Sequence, residues 1–173
     1  QNQYEQTATT ANPTIAHQAA IGLNRIRIRR MLGDIDSADL ETVKRLSILV
    51  GATPKLGAMW RKSLNFVRAI KESNQEQAMA LGRWLTKQPN CPTSVIFEYA
   101  DLLMANKAGD QAQTSLNDFL KSNPDSGPGW SQLGQLQMQT GAKSEALKSY
   151  QKALELRPNQ VDELAAARLH MSF

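Results

Sequence analysis

Residues 93–126 and 127–160 are two consecutive segments of equal length in which apolar residues fall at matching places, and this repetition constrains the fold more than any other feature. In the second segment, GPGWSQLGQLQMQTGAKSEALKSYQKALELRPNQ, the residues Trp130, Leu133, Gly134, Gln137 and Met138 step by three and four. That is the spacing of one helix face. Thr140-Gly141 interrupts it where a tight turn between helices fits. Ala146, Leu147, Tyr150, Ala153 and Leu154 then make a second helical stripe. Gly134, Ala146 and Ala153 are small enough to let two helices approach closely, with Trp130 and Tyr150 filling the space beside them. Pro158 cannot continue the second helix and closes the unit. In the first segment Ile96, Tyr99, Ala100 and Leu103 take the first-helix places, and Ala112, Leu116 and Phe119 the second. Asn106 to Asp110 form the expected turn, and Pro124 closes. Units of this size bury their apolar faces only against their neighbours, so the architecture predicted is helix stacked on helix.

Trp130, Leu133 and Gly134 at W-x₂-L-G spacing, Ala146 and Tyr150 at A-x₃-F spacing, Ala153 and Pro158 together resemble the tetratricopeptide repeat. Gln137 departs from it, standing where the repeat has Tyr. One step further back, residues 59–92 read as a degenerate unit. Phe66, Ala69, Ala78 and Leu85 fit, whereas Lys62 and Asn65 are polar, Pro89 comes one residue early and Pro92 follows. Residues 159–173 carry Val161, Leu164, Ala165 and Leu169 at helical spacing and read as a capping helix over the open end. The resemblance implies an all-α fold. It is a short solenoid of about three helix pairs over 53–158 plus the cap, preceded by an N-terminal helical pair over 14–52.

The N-terminal part lies outside the repeat. Residues 1–13 are polar and without apolar period, as in a flexible tail. Ile15, Ala19, Leu23, Ile26 and Arg30 share one helix face that Gly33 ends. The run Ile26 to Arg30 also alternates as a strand would, but no partner strand is nearby. Asp34, Asp36, Ser37 and Asp39 supply caps for a helix over about 38–50, with Leu40, Val43, Leu46, Leu49 and Val50 inward. Thr53-Pro54 reads as the start of the first repeat helix. What precedes Gln1 bears on compartment: such a tail fits a start after a cleaved signal or anchor at a bacterial envelope, and equally a cytoplasmic start.

Composition excludes more than it names. With 41% hydrophobic and 21% charged residues, the chain is an ordinary globular sequence. A single Cys forms no intramolecular disulfide, and no apolar run reaches the ~18–20 residues of a membrane span. His17 and His170 sit near opposite ends without a metal-spaced neighbour. Cys91, in PNCP, has no histidine assigned to it. The acidic group Asp34, Asp36 and Asp39 lacks the glycine and closing glutamate of a calcium loop, and Gly127 to Gly129 lack the Lys-Ser/Thr of a phosphate loop. A non-enzyme is therefore expected, with no cofactor and no metal.

In the repeat family the first helices line a concave face that takes a peptide or a helix. By position, the resemblance implies Trp60, Val67 and Lys71 in the first unit, Phe97, Asp101 and Met104 in the second, and Ser131, Gln135 and Met138 in the third. Phe97 and Met104 fall opposite the stripe of Ile96, Tyr99, Ala100 and Leu103. They read as an adaptable apolar groove, or as a surface the N-terminal helices fill in cis. The family's carboxylate clamp is not matched, since Lys71 is followed by Ser94, Asp101, Ser131 and Gln135. Residues 1–75 carry 11 Lys+Arg against 6 Asp+Glu, densest at Arg25, Arg27, Arg29 and Arg30. That cluster reads as a solvated face, as a dock for an acidic subunit or membrane surface, or as a polyanion contact. The function expected is a non-catalytic adaptor gripping a partner protein in a larger, bacterial, membrane-associated assembly. The alternative is a basic helical protein binding RNA or another polyanion through the arginines.

Overall fold

A computed structural model of the chain describes residues 26–33, 35, 38–51 and 58–171. Among them there is no strand; the backbone is helix and turn. A helical segment over residues 26–33 (α1) leads to α2 (Leu40–Gly51), α3 (Ala58–Lys71), α4 (Gln75–Leu85) and α5 (Thr93–Ala105). Then come α6 (Gly109–Ser122), α7 (Gly127–Gln139), α8 (Lys143–Leu156) and α9 (Gln160–His170). This is an all-α, tetratricopeptide-like helical repeat. The expectations for the tail at 1–13, for Ile15, Ala19, Leu23 and Arg25, and for Thr53-Pro54 lie outside the described residues.

The repeat is written most plainly in the turns. Backbone enters the left-handed region at Ser73 (φ 56), Lys107 (φ 58) and Gly141 (φ 83), each 34 residues after the last. Each turn closes with the same hydrogen bonds. The amides of Asn74, Ala108 and Ala142 donate to the carbonyls of Ala69, Leu103 and Gln137, and those of Ser73, Lys107 and Gly141 to Ile70, Met104 and Met138. This is the Schellman arrangement, which satisfies carbonyls orphaned at a helix end. Only the third turn has glycine at this position. The second is tighter than its sequence suggests, because Gly109 and Asp110 already belong to α6.

The chain forms two compact units, one up to Val95 and one from Ile96. In the first, the Asp39 carboxylate accepts from the Thr42 amide and hydroxyl (2.7 and 2.6 Å), capping α2. Those two bonds hold its carboxyl below the usual aspartate range. Val43 and Leu46 are buried, α2 packs on α3 and α3 on α4, and Leu64, Phe66, Ala69, Ala78 and Leu85 of the latter pair are buried. The Ser94 hydroxyl donates to the Leu32 carbonyl.

In the second unit α7 and α8 make the closest pair. A Cβ on Gly134 would stand 3.0 Å from the Tyr150 ring, so any larger residue would press the ring away from α7. Gly129 does the same for α7 against Phe119 and Leu120 of α6, at 2.8 and 2.9 Å. The Trp130 indole donates to the Pro124 carbonyl (2.8 Å). Gln137 is buried, and the Ser149 hydroxyl donates to its side-chain carbonyl (2.7 Å). A buried polar pair thus occupies the place of the expected Tyr. Finally, Ala166 and Leu169 of α9 close over Ala146 and Tyr150 of α8.

Candidate partner-binding face

Phe97, Asp101 and Met104 on α5 recur 34 residues later as Ser131, Gln135 and Met138 on α7. Steps of four and three residues put each trio on one side of its helix. The outward parts of this face are Asp101, Gln135 and Met138, the last 39% exposed. Phe97, Met104 and Ser131 are half-buried at its edge.

Hydrogen bonds join the helices beneath this face. The Gln132 amide donates to Asp101 (2.8 Å), linking α7 to α5. The Ser131 hydroxyl donates to Asp162 (2.6 Å), linking α7 to α9. Asp162 is itself buried and accepts from the Asn159 side chain (2.7 Å), while its amide donates back to Asn159 (2.9 Å). Burial, with the Asp162 carboxylate nearby, raises the Tyr150 phenol above its ordinary range. Asp101 and Ser131 are therefore engaged in holding first helices side by side. Gln132 and Asp162, which the repeat spacing does not single out, complete those links.

Two expectations for this face need correcting. Phe97 is not idle, because its ring meets Phe119 of α6 edge-on at 5.7 Å. It is part wall and part packing, like half-buried Met104. Val67 is 0% exposed and offers nothing to a partner. Ser63, one turn before Val67, is buried as well. The positions equivalent to Phe97 and Asp101 are thus covered in the first unit and accessible in the second.

The other candidates of the first unit have intramolecular duties. Trp60 is half-buried, with the Arg29 guanidinium 5.7 Å above its ring. The Lys62 ammonium lies 4.7 Å over Trp84. These cation–π contacts show what the polar residue at position 62 does in a degenerate repeat. Arg29 is thereby drawn out of the basic cluster, Arg27 is also engaged, and Arg30 is exposed. Lys71 is half-buried and engaged.

Nucleophilic chemistry gets little support. Burial pushes the Cys91 thiol up to about 12, so almost none is thiolate at neutral pH. Among the described residues no three His, Cys, Asp or Glu are grouped to hold a metal ion, and no helix is long and apolar enough to cross a membrane.

The profile of the tetratricopeptide repeat matches residues 128–160, the α7–α8 pair and its flanking turn. Searches of curated proteins and of solved structures returned no significant match. Residues 128–160 therefore form a tetratricopeptide repeat, and the turn geometry of that repeat returns twice before it at the same interval.

Proposed function

We propose that the chain is a protein-interaction adaptor whose second unit grips a partner segment on the face shared by α5 and α7. Proteins of this repeat family are generally non-catalytic adaptors, which supports the class. The observation that carries the site is the contrast between units: Ser63 and Val67 are buried, while Asp101, Gln135 and Met138, on the corresponding face, are open. Helices already tied together by Gln132–Asp101 and Ser131–Asp162 lose little freedom on docking. Their chemistry favours a mixed partner. Met138 and the rims of Phe97 and Met104 take an apolar side chain, and Gln135 and Asp101 take hydrogen-bond donors. A helix or extended peptide with one apolar anchor flanked by donor groups fits this description. It docks in an assembly where the adaptor brings the segment's owner to a second component.

Affinity purification from the source cell tests this with wild type and a Gln135→Glu/Met138→Asp variant. Both positions are exposed, so the fold should be unchanged by circular dichroism. Selective loss of a protein set retained by wild type supports the reading. Equal recovery by both proteins contradicts it.

A further inference from the structure

A helix that only caps a stack should be polar on its outer side. α9 is not. Its inner side is complete, with Ala166 and Leu169 against Ala146 and Tyr150. Its outer side nevertheless carries Val161 at 77%, Leu164 at 53% and, one residue past the helix, Met171 at 80% exposure. Half of the large exposed apolar residues among those described lie on these few turns.

We propose that this face pairs with the same face of a second copy, antiparallel, as a two-fold interface built on α9. The charges select the second copy and its direction. α9 has Asp162 and Glu163 in its first turn and Arg168 and His170 in its last. Laid antiparallel with the two-fold axis level with residues 166 and 167, two such helices set Glu163 of each copy beside His170 of the other, on the same flank and twice over. An imidazole N–H can donate to a carboxylate whether or not the ring is charged. The same register brings Val161 against Met171 and Leu164 against the Arg168 stem, with exposed Ala167 allowing close approach. A parallel pairing instead sets Glu163 on Glu163 and aligns the two helix dipoles unfavourably. Self-complementary surfaces of this kind close as two-fold dimers. One helix of 11 residues a side is smaller than a standard interface, so the dimer is weak and concentration-dependent.

Sedimentation equilibrium over micromolar to near-millimolar protein tests this. Wild type should move from monomer toward twice the monomer mass. Leu164→Asp/Met171→Asp should stay monomeric with unchanged circular dichroism. Glu163→Lys alone should weaken association about tenfold, and Glu163→Lys/His170→Glu in one chain should restore it, which only antiparallel pairing does. A wild type monomeric throughout, a Leu164→Asp/Met171→Asp variant that still dimerises, or a double exchange that restores nothing overturns the proposal. None of these outcomes bears on the α5–α7 face, which shares no residue with this one.

Discussion

Gln137 shows how a departure from a repeat pattern is made good. Its side-chain carbonyl is buried and held by the Ser149 hydroxyl. Ser149→Ala should therefore cost about 1–3 kcal/mol in urea unfolding, because it strands a buried acceptor. Adding Gln137→Leu should recover most of that loss, since no polar group is then left unpaired. Sequence identifies position 137 as unusual but not its partner, because the pairing depends on how α8 is rotated against α7. Cys91 makes a second case. With its thiol raised to about 12 from 9.0, it should react slowly with a disulfide reagent at pH 8 until denaturant is added. The folded form keeps its proton where the unfolded form loses it. Its contribution to stability is whole below pH 9 and fades as pH rises toward about 12.

Helices and turns were largely legible, and the reason is period. Stripes such as Ala146, Tyr150 and Ala153, or Val43 and Leu46, are buried as their spacing predicts. Turns are harder to read. Ser73 and Lys107 adopt left-handed backbone without glycine, so only geometry shows them equivalent to Gly141. A left-handed L-residue costs roughly 1–2 kcal/mol, part of which glycine returns as unfolded-state entropy. Lys107→Gly should then raise stability by up to about 1 kcal/mol, read as a higher urea midpoint; a lower midpoint would contradict the assignment. The cap helix gives a test of its own. Asn159 caps α9 and holds Asp162, which in turn holds Ser131. Asn159→Ala should cost about 1 kcal/mol and speed amide exchange in α9 before α8.

For the molecule as a whole, charge and access divide along the chain. Residues 1–95 hold 13 Lys+Arg and 7 Asp+Glu, a net +6; residues 96–173 hold 7 and 9, a net −2. The excess of positive charge therefore lies away from the matched repeat, and part of it is spent on Trp60 and Trp84. The candidate face was only partly legible in sequence. Repeat register picked Gln135 and Met138, but it also picked Val67, because burial by packing between helices leaves no mark on the residue itself. The direct measurement of the central claim is site-specific photo-crosslinking in source cells, with the reactive residue at Gln135 or, as a control on exposed α8, at Lys148. A discrete adduct from position 135, absent from position 148 and abolished by Met138→Asp, is the result predicted. Identical adducts from both positions, or an adduct indifferent to Met138→Asp, would contradict a partner face on α5 and α7.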